Sequence, residues 1–421
     1  MRRCLFYVLI ICLFSFKGLA QEPEKNGESN ETENDSIKKI ELVKSLGNGY
    51  LPSRYFDLDL RYLVKFNQYE GLRTGLGGIT NNTFSEKYII QGYVVYGFKD
   101  HRFKYSVGAG FRISEQTNTW LHASYTDDLQ ETGSSRYLTD KRFFQLFEPR
   151  LFNIDLFHKH ITKALTLEHR ISEKVLTESQ LSISKIDPTY DYSFVVDNQM
   201  FSTYDLSMLK VSVQWNPFTA IENEMETTGY PHFTFQYTKS FEDVIKGQFN
   251  FSKFDFRTVY KLRHVNKSST DFVLSAGIAN GKTPLTHLYH SYPNNVNKET
   301  IMQRFSIAGI NSFETMYFNE FFSDRFAIFQ IKHRLKPFDI SERFKPELVL
   351  ISRYALGNMS DINRHQGISF NTLENGYTES GFELNKLLFG FGLSFAYRYG
   401  AYHLPRFEDN FAFKFTFNIN L

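Results

Sequence analysis

The chain has 421 residues and a formal net charge of +2, so charge gives no indication of a nucleic-acid or acidic partner. Phenylalanine and tyrosine are abundant, at 44 and 25 residues, yet no internal stretch reaches the roughly 18 apolar residues that a membrane helix needs. The two cysteines, Cys4 and Cys12, both lie near the N-terminus. The rest of the chain therefore excludes disulfides, thiol nucleophiles and Cys-ligated zinc, and we predict no metal and no cofactor.

The first twenty residues have the pattern of a secretory signal peptide. Arg2 and Arg3 precede an apolar run over Leu5–Phe16, and Gly18 and Ala20 supply the small residues before a cleavage site. An uncleaved anchor is the alternative. We expect export of the chain, with residues 1–20 removed.

The next segment is polar and acidic. It begins QEPEKNGESNETENDSIKK and has almost no apolar side chains with which to form a core. We predict a disordered acidic tether over residues 21–47, followed by a single domain over residues 48–421.

From about residue 54 onward the dominant pattern is alternation of apolar and polar residues, which predicts β-strands. The clearest case is the C-terminal FAFKFTFNINL, where an apolar residue occupies every second position. Similar alternation predicts sixteen strands, with an uncertainty of two, near residues 54–66, 69–80, 87–99, 102–113, 118–129, 159–171, 174–186, 203–216, 230–241, 247–264, 269–281, 321–335, 345–356, 377–385, 388–402 and 410–421.

The chemistry of the two strand faces decides the fold class. One face is rich in aromatic residues, whereas the other mixes Gly, Ser, Thr, Gln, Lys, Arg and Glu. This combination is typical of a barrel with lipid outside and a polar lumen inside. We predict an all-β protein, a transmembrane antiparallel β-barrel of about 16 strands (14–16), with a soluble barrel or sandwich as the alternative.

The spacing of the strands predicts where the long connections lie. The segments 130–158, 282–320 and 357–376 fall at the same barrel end and are expected to be outer loops. The loop 282–320 is too apolar to extend freely into water, so we expect it to fold into or over the lumen. In segment 247–264 the phenylalanines change parity, which predicts a β-bulge near Ser252–Lys253 or a miscounted strand.

Three further motifs favour structural roles. EGLRTGLGG at 70–78 lacks a following helix and a GK[ST] sequence, so its glycines indicate curvature or close approach rather than phosphate binding. His287 and His290 in HLYH have no nearby carboxylate in the sequence and are interpreted as ordinary loop residues. No GxSxG or HExxH motif is present, so we predict no enzyme, with a hydrolase active at the barrel rim as the alternative.

Several stretches resemble a known family as a set. YEGLRTGLGGITN, GYVVYGFKDHRFKY, SFETMYFNEFFSDRF and the C-terminal residues resemble a Bacteroidota outer-membrane barrel family of unknown function, often found behind a carboxypeptidase-regulatory-like domain. That barrel in turn is similar to surface-antigen barrels of assembly insertases and two-partner-secretion transporters. The resemblance implies sixteen strands and a long loop after the eleventh that folds into the lumen. The insertase Arg-Gly-Phe signature is absent, so insertase activity is not carried over.

The expected function is that of an integral outer-membrane barrel in transport or envelope biogenesis. A barrel with a closed lumen and a purely structural role is the alternative. The expected partners are the lipid bilayer and the barrel-assembly machinery during insertion, with no nucleic acid, and we expect a monomer. The candidate residues for the lumen and for loop anchoring are Glu70, Arg73, Glu314, Glu320, Asp324 and Arg325.

The C-terminal strand is expected to close the barrel by pairing with the first strand near residues 56–63. It is also expected to act as an insertion signal, although it ends on leucine rather than on an aromatic residue. Lys414, Asn418 and Asn420 are expected to face the lumen. The residues predicted to face lipid are Phe411, Phe413, Phe415, Phe417, Ile419 and Leu421.

Overall fold

A computed structural model describes residue 45, residues 49–138, residue 150, and residues 154–221, 230–296, 306–309, 311–341, 344–388 and 390–417. The predicted signal peptide and nearly all of the predicted tether lie outside these residues. Among the residues described, no helix has the length and hydropathy of a membrane span.

One antiparallel sheet of 18 strand segments forms the wall of the barrel. The first strand is split in two and Tyr50–Leu51 is a short additional piece, so the wall has the predicted sixteen strands. They are β1 (Phe56–Asp59 and Val64–Asn67), β2 (Gly71–Thr80), β3 (Tyr88–Gly97), β4 (Arg102–Ser114), β5 (Thr119–Glu131), β6 (Phe157–Ser172), β7 (Val175–Pro188), β8 (Tyr204–Trp215), β9 (His232–Phe241), β10 (Phe251–Arg263), β11 (Ser269–Gly281), β12 (Arg325–Arg334), β13 (Glu347–Asn358), β14 (Tyr377–Leu388), β15 (Phe391–Tyr399) and β16 (Phe411–Phe417).

Each strand pairs with the next one along the chain, from β1 to β16. Connections after odd-numbered strands therefore lie at one barrel end, which we call the loop end. Those after even-numbered strands lie at the other, the turn end. The longest connections, 132–156, 282–324 and 359–376, are all at the loop end. The bounds of these connections agree with those of the three predicted long loops to within a few residues.

The predicted bulge in β10 is wrong. The strand pairs with β9 and with β11 in unbroken register through Ser252 and Lys253. The parity of the phenylalanines changes for a different reason. Phe249 and Phe251 are buried at the loop end, whereas Phe254 faces outward and is 48% exposed.

An aromatic core at the loop end explains this inward phenylalanine pair. The five connections after β5, β7, β9, β11 and β13 contribute to it together with inward side chains of the wall. Its large members include Phe194, Phe249, Phe251, Leu285, Leu288, Tyr289, Phe313, Met316, Phe321, Phe322, Leu373 and Tyr377. This core occupies the space that would otherwise be the mouth of the lumen.

A small three-stranded sheet lies beside this core and joins two loops. Ser193–Val196 pairs with Gln199–Phe201 to form a hairpin, and His365–Gln366 pairs with the first of these strands. The His365 ring stacks on Phe194, and its Nδ1 is hydrogen bonded to the hydroxyl of Tyr192 at 3.0 Å. The connections after β7 and β13 are thereby fixed to each other.

The pKa of His365 makes this sheet sensitive to acid. Burial, with a smaller contribution from Arg364, lowers the pKa of His365 from 6.5 to about 4. Because the folded-state pKa is depressed, the stabilisation is complete above about pH 6.5 and is lost as pH falls towards 4. At pH 5 we expect destabilisation of about 2 kcal/mol, or roughly thirtyfold in the local opening equilibrium.

Hydrogen–deuterium exchange of the 189–203 hairpin, corrected for intrinsic rates, measures this opening. His365→Phe keeps an aromatic ring without a titrating group and is expected to abolish the pH dependence. His101→Gln changes an exposed histidine and is the control. A pH-independent exchange rate in the unmodified chain would contradict the expectation.

The glycines of EGLRTGLGG have the structural role that the sequence indicates. A Cβ atom on Gly77 of β2 would lie 2.4 Å from the ring of Tyr62 and 2.9 Å from Cβ of Tyr93. These two tyrosines stack with ring centroids 4.0 Å apart. Glycine is therefore required for the ring of Tyr62 to lie against β2.

Candidate functional site

The inward face of β13–β16 carries a row of buried charges. Arg353, Glu379 and Arg398 occupy adjacent positions on β13, β14 and β15, and Lys414 lies on β16. All four are at most 2% exposed. They face inward because strand side chains alternate, and the exposed aromatic residues Tyr354, Tyr399 and Phe413 beside them face outward. A cluster of charge this deeply buried needs partners within the lumen.

The partners come from the long loop 282–324. Its strand Phe313–Tyr317 places the backbone N–H groups of Glu314 and Thr315 against the carboxylate of Glu379, at 3.1 and 2.7 Å. The same carboxylate accepts a hydrogen bond from Arg353 at 2.6 Å. Glu379 therefore links the loop backbone to the wall.

Glu314 adds a second link. Its carboxylate lies 3.0 Å from Nζ of Lys414 and accepts hydrogen bonds from the Ser312 hydroxyl at 2.7 Å and the Asn294 amide at 2.7 Å. Burial alone would raise the pKa of Glu314, but the charges of Lys414 and Arg353 outweigh it and hold the pKa below its usual value. The group is thus a carboxylate at neutral pH.

Glu320 forms a third link, with bidentate geometry. The guanidinium of Arg398 donates to its two carboxylate oxygens at 2.6 and 3.0 Å. The Arg398 guanidinium also lies over the rings of Tyr377 and Phe321, 4.8 and 5.9 Å from their centroids. Paired, stacked arginines of this kind are held in one geometry. Glu314 and Glu320 therefore both join the loop to the wall.

Asp324 and Arg325 lie elsewhere. They mark the start of β12, where the Asp324 carboxylate accepts a hydrogen bond from Ser360 N at 2.7 Å and the Arg325 guanidinium donates to Ser360 Oγ at 2.9 Å. The Arg325 side chain is 52% exposed and does not enter the lumen. This pair joins the end of the loop to the connection after β13, rather than to the lumen wall.

Glu70 and Arg73 come together on another part of the wall, and their network includes residues of β4 and β5 as well. Arg73 binds Asp128 of β5 through two hydrogen bonds of 2.8 Å and lies 3.3 Å from Glu70. Lys104 of β4 pairs with Glu70 at 2.6 Å. Asp128 and Lys104 are not among the sequence candidates, because residues that meet across several strands have no common spacing in the chain.

The wall partners Arg353, Glu379 and Arg398 are also absent from the sequence candidates. The sequence does contain a feature that could have identified them, because each is a charged residue at an inward-facing position of a strand with alternating apolar and polar residues. Lys414 is predicted to face inward on that ground. Nothing in the sequence indicates which of these charges meets which part of the loop.

The C-terminal strand has the two faces that its sequence predicts. Phe413 and Phe415 face outward, 49% and 42% exposed, and Lys414 between them is buried. Phe411 lies on the same face and is partly buried. The Phe417 backbone completes β16, whereas Ile419 and Leu421 lie outside the described residues.

The edges of β1 and β16 are both covered by short segments of the chain. Within the residues described, no ladder joins β1 to β16. Residues 306–308 of the long loop instead lie parallel to β16. Ala308 N donates to Phe415 O at 2.7 Å, and Phe415 N donates to Ser306 O at 2.9 Å. At the other edge, Tyr50–Leu51 folds back on β1 beside Leu58. The predicted sealing of β16 by residues 56–63 is thus not observed.

His287 and His290 do not meet as a pair. His290 contacts Glu131 at 2.5 Å, and His287 lies near the ring of His158. In the part of the chain that the structure describes, no group of three His, Cys, Asp or Glu side chains is placed to hold a metal ion.

An outward aromatic face, an inward polar face and a long loop bound within the lumen define a β-barrel of the outer-membrane type. Residues 53–338 match the model described as the C-terminal domain of a family of unknown function (DUF5686). The chain belongs to this family. No curated protein matches its sequence.

One solved structure supports the fold, and two others have a lower similarity. BamA from Haemophilus ducreyi lacking POTRA domains 1–3 is similar, with a TM-score of 0.53 and 10% identity over 93% of this chain and 79% of that one. CdiB from Acinetobacter baumannii has a TM-score of 0.44 and 11% identity, and the match covers 83% of this chain and 57% of that one. CdiB from Escherichia coli has a TM-score of 0.47 and 9% identity, and the match covers 86% of this chain and 62% of that one. At these identities the likeness to BamA shows a shared barrel fold.

Proposed function

We propose that this chain is an outer-membrane protein whose lumen is plugged by its own loop and which acts in envelope biogenesis, handling lipid or protein at the membrane. The observation that carries the proposal is the binding of the loop 282–324 inside the barrel through Glu314, Glu320 and Glu379. A diffusion pore has a water-filled channel. In this barrel, ion pairs and an aromatic core occupy that region.

The anchors favour a plug that stays in place. The Glu314–Lys414 pair is buried and the Glu320–Arg398 pair is partly buried. Charge-assisted hydrogen bonds are stronger in such surroundings than in water. The loop backbone adds two further hydrogen bonds to Glu379. Releasing the loop requires all of these to break together, so solute passage through the lumen is not the favoured activity.

Planar-bilayer recording tests the plug. The unmodified protein is expected to show no steady conductance, and Glu314→Gln combined with Glu320→Gln is expected to produce frequent openings. Asp339→Asn, at an exposed residue paired with Lys345 outside this loop, is the matched control. A steady open pore in the unmodified protein would overturn the proposal in favour of a solute channel.

The role in biogenesis has its own test. Deleting the gene is expected to weaken the outer-membrane barrier to bile salts and large antibiotics, and the full-length chain is expected to restore it. An unchanged barrier and unchanged outer-membrane composition would favour a purely structural barrel.

We also propose no catalytic role, since the carboxylates Glu314, Glu320 and Glu379 are all held in ion pairs. Hydrolysis of lipid or peptide substrates by the purified protein would contradict this.

A further inference from the structure

The turn end of strands β10–β14 carries an excess of positive charge. Eight basic and four acidic described side chains lie on these strand ends and on the connections 264–268 and 335–346, and we call this set the turn-end patch. With histidines neutral, its formal charge is +4. Glu342 and Arg343 of the second connection lie outside the described residues, and their opposite charges cancel. The members of the patch are Lys261, Arg263, Lys267, Lys332, Arg334, Lys336, Lys345 and Lys386, with Asp271, Asp339, Glu347 and Glu383.

The carboxylates on the strand ends are shared between several cations. Asp271 is the register partner of both Lys261 and Lys332. The same carboxylate lies 3.7 Å from the guanidinium of Arg334, which also lies 3.4 Å from Glu347. The strand ends have two further ion pairs, Lys332–Glu383 at 3.8 Å and Lys386–Glu347 at 3.5 Å. Local pairing therefore does not neutralise the basic side chains.

The two connections add further positive charge. Lys345 pairs with Asp339 at 3.1 Å, and its hydrogen bond and charge hold the pKa of Asp339 below its usual value. Lys336 and Lys267 make smaller contributions to the same lowering of the pKa, so both lie near Asp339. Among the residues that the structure describes, no carboxylate forms an ion pair with Lys267, Lys336 or Arg263. These three side chains are available to an anionic partner.

Apolar side chains stand among these charges. Val265, in the first connection, is fully exposed, and Phe338 and Ile340 in the second are 47% and 64% exposed. The second connection has an internal hydrogen bond, from Phe338 N to Pro346 O at 2.9 Å. Exposed apolar groups with polar groups around them mark interaction sites. The patch thus offers both charge and apolar contact to a partner.

The position of the patch favours a protein over a lipid as the partner. Arg334 lies four residues after Gln330, whose register partner is the buried Arg353, so all three share the inward face of the wall. Lipid headgroups contact the outward side of a barrel, whereas a soluble protein can reach both the inward side and the tips of the turns. In outer-membrane barrels the short turns lie on the periplasmic side.

We propose that the turn-end patch binds an acidic segment of a periplasmic protein, and that this segment also carries apolar side chains. Carboxylates of the partner pair with Lys267, Lys336 and Arg263, while its apolar side chains pack against Phe338 and Ile340. Complementary charge of this kind gives specificity and speeds association. The connections tested below lie at the turn end, whereas the plug enters from the loop end, so the proposal does not depend on the proposed function.

Binding of a synthetic peptide tests the patch. The full-length protein is placed in nanodiscs of phosphatidylcholine, and the probe is a soluble peptide of glutamate, leucine and serine. The protein is expected to bind this peptide about tenfold more tightly than the same peptide with glutamine in place of glutamate. The preference is expected to decrease as salt is raised, because salt screens exposed charges.

A pair of lysine variants tests the charge. Lys267→Gln with Lys336→Gln removes two cations that form no ion pair with the described residues, and is expected to weaken peptide binding about tenfold. Lys87→Gln with Lys246→Gln changes exposed lysines outside the patch and is the matched control. Heat-modifiable gel migration shows that each variant is folded. Equal binding of the two peptides by the unmodified protein, or unchanged binding by the first variant, would overturn the proposal.

A second pair of variants tests the apolar contact. Phe338→Ser with Ile340→Ser is expected to weaken binding several-fold and to leave the salt dependence unchanged, because the charges remain. Phe84→Ser, at another connection of the turn end, changes a side chain of similar exposure (48%) and is the control. An unchanged affinity of the Phe338→Ser, Ile340→Ser variant would contradict an apolar component of the partner.

The same assay identifies two other occupants, and either result would overturn the proposal. Loss of peptide binding when phosphatidylglycerol is added to the nanodisc would show that lipid headgroups occupy the patch. Binding only after Glu222, Glu224 and Glu226, which lie outside the described residues, are changed to glutamine would show that the chain's own connection after β8 occupies it. Carbodiimide coupling of the peptide is expected mainly at Lys267 and Lys336, and coupling spread evenly over exposed lysines would contradict the site.

Discussion

Glu379→Ala is expected to destabilise the barrel by about 3–5 kcal/mol, several times the effect of breaking an exposed ion pair. The reason is that Arg353, whose side chain is 2% exposed, keeps its charge and loses its partner. The same change removes the acceptor for the N–H groups of Glu314 and Thr315. Unfolding in urea, followed by heat-modifiable migration in mild detergent, measures the stability, and limited proteolysis within 282–324 measures loop release.

Two further variants separate the effect of the unpaired Arg353 charge from the effect of the lost hydrogen bonds to the loop. Arg353→Met with Glu379→Leu removes both charges and is expected to recover most of the stability. It is still expected to leave the loop sensitive to protease, because the loop N–H groups have no acceptor on β14. Glu242→Ala, which breaks an exposed pair with Lys282, is expected to cost less than about 1 kcal/mol. If Glu379→Ala were no less stable than this control, the anchoring role would be refuted.

Ile307→Cys combined with Phe415→Cys is expected to form a disulfide in most molecules under mild oxidation. The two residues are bridge partners in a parallel pairing. On either side of Ile307, Ala308 N donates to Phe415 O at 2.7 Å and Ser306 O accepts from Phe415 N at 2.9 Å. Paired positions on adjacent strands fall within the Cα separation that a disulfide spans. The native cysteines, Cys4 and Cys12, are replaced by serine for this experiment.

The rival arrangement has its own cysteine pair. If β16 were sealed by β1, Leu58→Cys would cross-link with Phe413→Cys or Phe415→Cys in place of Ile307→Cys. We expect little of this product, since Leu58 lies opposite Leu51 on the edge of β1. Gel migration of oxidised and reduced samples distinguishes the two outcomes. A predominant Leu58 cross-link would show that the loop segment does not occupy the edge of β16.

Strand number and orientation followed from the sequence because lipid and lumen impose opposite requirements on successive residues. In β16, Phe413 and Phe415 face outward and Lys414 faces inward, as their alternation predicts. The count of sixteen strands and the position of the longest loop between β11 and β12 followed from the same pattern.

The alternation of apolar and polar residues was wrongly interpreted where the interior of the barrel is apolar. Near the loop end the lumen is filled by aromatic side chains, so inward positions such as Phe251 and Phe326 are apolar. At this end of the barrel, an apolar residue in the alternating pattern therefore no longer indicates an outward-facing position. This is why Phe251 suggested a bulge that is absent, and why Arg325, next to the inward Phe326, points away from the lumen that it was expected to occupy.

The sequence by itself determined the alternating strands, their antiparallel order and the long loops, because these depend on local periodicity. Only the tertiary structure decided which wall charges bind the loop, and that residues 306–308 rather than β1 cover the edge of β16. These features join residues separated by tens to hundreds of positions. The folding of the sheet and its loops brings them together, and no spacing along the chain records that.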